Sequence, residues 1–420
     1  MDDLHLQKGD DTEPNDEGSE HRCFEVRHDL EKRLDVYLHG RLRGVSRTKV
    51  HQLIELGGVK VNSAATKPSH RVRAGDIIDV ILPSPAIRTI EPEPIPLDVL
   101  YEDEHLIVLN KQADLIVHPA RSHLSGTLLN GLASHFKHQL EQAGGIWSQW
   151  KTRGFSAGPK APRHPNGVVE GLSSVGAREY RPGIVHRLDR YTTGVMVVAK
   201  SDQAHWQLAH QFETRKVLKV YLAVVHHQPV PTDLPGGVID LPLGKHLTIR
   251  EANAVRHDSL GKPSVTIFRV RERYRGYSLL ELELKTGRTH QIRVHLEHVG
   301  CPIAGDILYG GEPVGAAQIK LPPVAAGSRR DLNFARDKGE GKRIEAEARS
   351  QPDMIMMRPA LHATLLRFTH PLTEKPMSFT APVHPPMSGL IQALRKQQVD
   401  GPVAEEGFWV DLAEAVSAGP

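Results

Sequence analysis

The sequence predicts an α+β protein, a mixed and largely antiparallel sheet domain preceded by a small α/β module. Three observations carry this. Apolar runs of strand length outnumber helical stripes along the chain. They follow one another in meanders instead of alternating with helices, which favours antiparallel pairing over a doubly wound parallel sheet. Prolines at 83, 85, 92, 94 and 96 divide a short basic pattern from the remainder, because each fixes its own φ and removes a backbone donor.

The 420 residues are enough for two or three domains. With 39% hydrophobic and 25% charged residues, the composition excludes a wholly disordered chain. No stretch reaches the ~18 uncharged apolar residues of a membrane span. The acidic start MDDLHLQKGDD lacks the basic and apolar regions of a signal peptide, so a cytoplasmic protein with no membrane partner is expected. Cys23 and Cys301 alone make neither a disulfide framework nor a zinc cage. The net charge of +3 conceals an asymmetry, since residues 1–20 hold eight acidic residues and one basic, and residues 398–420 hold five acidic and none basic. With those ends set aside, residues 21–397 carry 52 basic against 37 acidic side chains, a balance suited to nucleic acid.

In chain order, residues 1–25 read as an acidic disordered tail and 26–82 as the small module. Within the module Ser46 caps a helix whose stripe is Val50, Leu53 and Ile54 and whose end is Gly57. Arg41, Arg43, Arg47 and Lys49 crowd the start of that helix, where free N–H groups and the dipole attract phosphate. VKVN at 59 and IIDVIL at 77 read as strands, the second introduced by Gly75 and Asp76. Residues 83–97 read as a linker and 98–397 as the main domain, with irregular insertions at about 137–182 and 311–353. LIVLN at 106 and LIVHP at 115 read as strands, and TLLNGLASHF at 127 as a helix. VMVVA at 195 is a buried strand, followed by a helix capped by Ser201 or Asp202, then strand VYLAVV at 220. SLLELELK at 278 alternates and predicts a half-buried strand with Glu281, Glu283 and Lys285 facing out. A helix striped by Ile292, His295, Leu296 and Val299 ends at Gly300, strands at 365 and 377 follow, and residues 398–420 form an acidic tail.

Two clusters concentrate chemistry. In RPGIVHRLDRYTTGVMVVAK at 181, Asp189 lies between two arginines and just before a buried strand. Neighbouring cations keep such a carboxylate ionised, so it serves as nucleophile, as general base, or only as one half of a structural ion pair. His186 has no partner at metal spacing and reads as structural. In LKTGRTHQIRVHLEHVGCPIAGD at 284, Arg288, His290 and Arg293 surround a helix start, which suits a phosphate backbone, a buried carboxylate, or a plain solvated basic face. His290 and His295 lack the HExxH spacing of a zinc protease.

RLDVYL at 33, SRTKVHQLIELGGVKVN at 46 and AGDIIDV at 74 resemble the αL RNA-binding module first known from ribosomal small-subunit protein four. HRLDRYTTG at 186, LKVYLAV at 218, GRTHQIRVH at 287 and GCPIAGDILYG at 300 resemble the signature blocks of RluA-type pseudouridine synthases. DEHLIVLNKQADLIVHP at 103, GKPSVT at 261 and LHATLLRFTHP at 361 extend the likeness over about 98–384, although NKQADL at 110 lacks the usual Pro-Ala-Gly and both insertions are long. The resemblance implies an isomerase without cofactor or metal, acting as a monomer on structured RNA, in the first place large-subunit ribosomal RNA. It places Asp189 at the ribose and Arg293 against it. Tyr221 is to stack on the uracil and help remove the C5 proton, and Arg187 is to fill the gap left by a flipped base. Lys219, on the alternate strand face from Tyr221, is an ancillary charge, and Arg288, His290, Arg41, Arg43, Arg47 and Lys49 contact RNA. A transfer RNA substrate and a non-catalytic assembly factor remain as alternatives. A glycosidase needs a second acid placed to protonate the leaving group, and none is expected beside Asp189.

Overall fold

The computed structural model describes residues 19–29, 31–42, 47–55, 57–83, 90–118, 125–142, 172–173, 182–229, 235–320, 335–397, 399–402 and 408–416. The chain divides into two units, residues 1–88 and 89–420.

In the first unit β1 (Ser19–Glu25) precedes the helices α1 (Leu34–Arg41) and α2 (Arg47–Glu55), which are followed by β2 (Val59–Val61), β3 (Ala64–Ala65) and β4 (Ile77–Pro83). The sheet runs β1–β4–β2–β3. Leu34, Tyr37 and Leu38 of α1 are spaced i, i+3, i+4 and pack with Val50 and Ile54 of α2 onto Val59, Ile78 and Val80 of the sheet. Gly57 closes α2 with φ 78, the left-handed turn its position predicts. Two expectations change. Residues 19–25 are not tail but a strand paired with β4 from Ser19↔Pro83 to Glu25↔Ile77, because edge pairing satisfies backbone groups whatever the side-chain charge. Ser46, the expected cap, lies outside the described residues.

The second unit begins with β5 (Val99–Glu102), β6 (Leu106–Lys111) and α3 (Leu128–Gln142), and continues through β7 (Thr193–Ala199), α4 (Asp202–Glu213) and β8 (Leu218–His226). Next come β9 (Gly236–Asp240), β10 (Leu243–Lys245), β11 (Asn253–Val255), β12 (Val265–Tyr274), β13 (Tyr277–Leu284) and α5 (Gln291–His298). The chain ends through β14 (Val314–Gly315), α6 (Ala316–Lys320), α7 (Lys338–Arg349), β15 (Met354–Met356), β16 (Leu361–Thr369), β17 (Pro376–Thr380), α8 (Pro385–Arg395), β18 (Val399–Pro402) and α9 (Leu412–Val416). One sheet ordered β18–β12–β13–β8–β16–β7–β6–β5 organises the unit, with β9 on β12 and β17 on β16. Every pairing in it is antiparallel except β16 with β7, so the protein is α+β as predicted.

Ser201 caps α4, its hydroxyl accepting the Ala204 N–H. Several other segments depart from expectation. Leu115 and Val117 are buried, but the backbone there makes a single bridge, Ile116 to Thr127, and no strand. The expected linker is partly packed, for Ile90 is buried in the core and the Glu93 carboxylate accepts the Gly126 N–H at 3.0 Å. The region 311–353 carries β14, α6 and α7, the last capped by Asp337. Within 137–182 the helix α3 runs on to Gln142, while 143–171 lies outside the described residues.

Strand β13 is buried on both faces, with Glu281 and Glu283 inside, and the acidic C-terminal segment supplies the reason. Glu281 accepts the backbone N–H groups of Trp409 and Val410 at 3.0 and 3.2 Å and a bond from Arg271 at 2.6 Å. Val410, Ala415 and Val416 enter the main core. Residues 399–402 are therefore an edge strand of the sheet and 408–416 a cover over it, and neither is a tail.

Candidate active site

Three segments converge on one cavity of about 490 Å³, in the range of small-molecule and cofactor pockets. They are the loop entering β7, the end of α4 with the start of β8, and the turn from β13 into α5. Asp189, Tyr221, Arg293, Arg187, Lys219, Arg288 and His290 all line it. Six lysines or arginines in the lining face two carboxylates, Asp189 and Glu213, so the cavity favours an anionic ligand.

The Asp189 loop is held from behind. Thr192 N–H returns to the Asp189 carbonyl at 3.2 Å, and β7 follows at once. Lys111, 1% exposed, donates to the carbonyls of Gln112, Leu115 and Arg190. Burial pushes its ammonium down to about 7, and the Asp189 charge works in the opposite direction. Arg190 in turn bonds Asp114 at 2.6 Å. Gly194, with φ 114, lets β7 approach β16, since a Cβ there would lie 2.1 Å from the Ala363 carbonyl oxygen. Beside it Thr193 donates to His362 Nδ1 at 2.8 Å, because His362 Nε2 already donates to the Ala381 carbonyl at 3.0 Å.

The second segment is organised by Gln291. Its Oε1 accepts from Thr286 at 2.7 Å and from the Arg288 N–H at 3.0 Å, while its Nε2 donates to Val265 and Thr266. The helix therefore begins at Gln291, and His290 before it has φ 59. His295 bonds Thr266 and the Leu241 carbonyl and is structural. His186 also takes the structural role expected of it, accepting the Val197 N–H at 3.0 Å and stacking on Phe212.

Arg293 Nη1 lies 3.5 Å from Asp189 Oδ2, and His290 Nε2 lies 3.8 Å from the same oxygen. Burial pushes the Asp189 carboxyl up, but His290, Arg293 and Arg187 outweigh it and hold the carboxyl below its usual range. The closer partner of Arg293 is Asp306, bonded through Nε at 2.6 Å and Nη2 at 2.8 Å. Asp306 lies in the GCPIAGDILYG block, but its charge was not among the expected site residues. It is a second carboxylate beside the site, yet it is 1% exposed and both oxygens are spent on Arg293, which disqualifies it as a free acid. Burial opposes the Arg293 charge, and Asp306 with Asp189 raises its pKa beyond the ordinary guanidinium value.

Tyr221 is buried to 8% exposure. Burial and then Asp189 raise the phenol pKa well above its usual value. Lys219 and Tyr221 are two apart on β8 and so share a strand face, which corrects the alternate face expected for Lys219. In the first unit Arg47 bonds the fully buried Asp35 at 2.7 Å, together with Arg33 at 3.0 Å and His51 at 2.7 Å, so its guanidinium is engaged inside the module. Arg41 is exposed and lies 4.4 Å over the Tyr37 ring. Arg43 and the Lys49 side chain lie outside the described residues. Among the described residues no group of three or more His, Cys, Asp or Glu is placed to hold a metal ion, and no helix is long and apolar enough to cross a membrane.

A carboxylate on the loop into β7 thus faces a guanidinium in a cavity whose lining suits an anionic ligand. Residues 105–298 match the family described as RNA pseudouridylate synthase, and residues 32–78 match the S4 domain. The chain is 35% identical over 365 residues to an uncharacterized RNA pseudouridine synthase of Bacillus subtilis, YlyB, covering 87% of this chain and 95% of that one. It is 35% identical to ribosomal large subunit pseudouridine synthase D of Xanthomonas campestris, over 87% of this chain and 89% of the relative. With the protein of the same name from Haemophilus influenzae it shares 34% identity, over 88% and 93%. The chain belongs to the RluA family of RNA pseudouridine synthases and carries an S4 RNA-binding module. It is an isomerase acting on RNA.

Proposed function

We propose that the enzyme isomerises uridines of large-subunit ribosomal RNA, with Asp189 as the reacting carboxylate. The observation that carries this is the placement of an ionised Asp189, 3.5 Å from Arg293, in the same cavity as Tyr221. Uridine and pseudouridine have the same atoms. The bond from ribose C1′ to N1 breaks, a bond from C1′ to C5 forms, and the C5 proton is exchanged for one on N1. A target base is shielded by stacking, so it must leave the helix to reach the cavity. Arg293 and His290 both approach Asp189 Oδ2, and among the described residues none bonds Oδ1, which leaves Oδ1 to the ribose. As nucleophile Asp189 attacks C1′, and as base it takes a ribose proton; each requires the ionised form that its surroundings enforce. Tyr221 presents its ring to the uracil, and its raised pKa keeps it a phenol at neutral pH. Arg187, exposed at the rim, is placed to occupy the gap left by the base.

The ribosomal substrate is suggested by the names of the Xanthomonas and Haemophilus relatives and by the S4 module. Pseudouridine mapped across all RNA in a deletion strain, complemented with wild type or Asp189→Asn, tests both statements. We expect sites in large-subunit ribosomal RNA to vanish on deletion and to return only with wild type. Sites lost from transfer RNA instead would overturn the substrate, and full restoration by the variant would overturn the role of Asp189.

A further inference from the structure

His290 occupies a left-handed backbone position, φ 59 and ψ 19, which disfavours any residue with a Cβ, and its side chain makes no capping bond. The ring is instead aimed between two oxygens. Nδ1 lies 2.8 Å from the Tyr309 hydroxyl and Nε2 lies 3.8 Å from Asp189 Oδ2. Tyr309 is 1% exposed, its hydroxyl oxygen accepts the Asn253 backbone N–H at 2.9 Å, and the Arg293 guanidinium lies 4.8 Å over its ring. With that oxygen already accepting a bond, the phenolic proton needs an acceptor of its own. Among the described residues His290 Nδ1 is the one at bonding distance. Tyr309 therefore donates to Nδ1, and the imidazole proton resides on Nε2, facing Asp189.

We propose that His290 is a neutral positioning residue: Tyr309 fixes its tautomer, and its Nε2–H closes onto Asp189 Oδ2 when RNA fills the cavity, turning Oδ1 toward the ribose. The present 3.8 Å is too long for a hydrogen bond, and catalytic contacts of this kind tighten once substrate is bound. The groups that face the ring are Asp189, Asp306, Arg293, Lys245 and Tyr309. Burial first, and then Arg293, push the imidazole down to about 4, so it stays uncharged through the neutral range and donates as a dipole. This role replaces the RNA contact expected of His290, and it rests on Asp189 being the reacting carboxylate.

Nitrogen NMR of histidine-labelled full-length enzyme reads the tautomer directly. We expect a pyridine-type Nδ1 and a pyrrole-type Nε2 for His290, and the reverse assignment overturns the proposal whatever the variants do. Kinetics on an RNA substrate supply the second readout. His290→Gly relieves the backbone, so its melting temperature should hold or rise while kcat falls about tenfold to a hundredfold with KM little changed. Loss of a donor to the carboxylate should also move the acid limb of the kcat profile to higher pH. Tyr309→Phe should shift kcat the same way by less. A raised KM with a weaker salt dependence and unchanged kcat would make His290 a phosphate contact and overturn the proposal, as would wild-type kinetics. Asp189→Asn in the same assay separates the two levels. If it is inactive while His290→Gly is normal, only the positioning role fails, and if it is active, both fail.

Discussion

Two aspartates that each close an Arg-Leu-Asp triplet, one in each unit, show how the same local sequence serves opposite ends. Asp35 in the S4 module is fully buried and is met by Arg33, Arg47 and His51 at 2.7–3.0 Å. Burial pushes its carboxyl up, but those three hydrogen bonds outweigh it and hold the carboxyl far below the ordinary range. Asp189 also stands beside a guanidinium, yet Arg293 is 3.5 Å away, the uncharged His290 is 3.8 Å away, and the carboxylate side chain keeps 22% exposure. One carboxylate is saturated and holds α1 to α2. The other is charged, oriented and left with bonding capacity, which a reacting group needs. The difference lies in Asp306, which takes Arg293 bidentately and keeps it from closing on Asp189.

Removing Asp306 should erase that difference. In Asp306→Asn, Arg293 loses its charged partner and is drawn onto Asp189, which then resembles Asp35. We expect the single-turnover rate to fall about a hundredfold, with several degrees lost in thermal melting because a buried ion pair is broken. An unchanged rate would show that Asp306 does not keep Asp189 available. Cutting the chain after residue 402 strips Glu281 of the Trp409 and Val410 donors and uncovers the sheet. That should cost the second unit about 3–6 kcal/mol, measured by denaturant unfolding, with RNA affinity unaffected in the molecules still folded. Among the basic residues of the module, Arg41→Gln should lower the salt slope of RNA binding by about 0.7 log units if it touches single-stranded phosphate. Arg47→Gln should act chiefly on stability, because its guanidinium is held by Asp35.

Acidity provides another contrast. The folded pKa of Asp35 lies below its unfolded value of about 3.9, so its stabilisation is complete above that value and fades as pH falls through the folded pKa. Asp35→Asn should therefore destabilise the module at neutral pH and lose its effect in strong acid. Asp189 should show its acid sensitivity in rate.

The site was legible in the sequence where its parts are local. Asp189 with Arg187, Tyr221 with Lys219, and Arg293 with Arg288 and His290 each sit in a short charged or alternating block, and the fold brings the blocks to one cavity. Alternation on β8 could have placed Lys219 beside Tyr221 correctly, since the strand period is two. Asp306 was harder, because its charge meets Arg293 across a turn of 13 residues that no periodicity marks. Glu281 misled for a similar reason. Alternation alone made it solvent-facing, while the donors that bury it come from residues 128 and 129 positions away. Composition likewise marked the C-terminal segment as a tail, although Val410, Ala415 and Val416 supply enough apolar surface to dock it.

The role of Asp189 is tested most directly by making Asp35→Asn and Asp189→Asn in the full-length enzyme and measuring single-turnover pseudouridine formation and thermal melting on both. We predict that Asp189→Asn loses at least about a thousandfold in rate and melts like wild type. Asp35→Asn should keep its rate at saturating RNA while its module loses about 1–3 kcal/mol. Near-normal turnover by Asp189→Asn, with the loss falling on stability instead, would contradict the assignment of Asp189 as the reacting group.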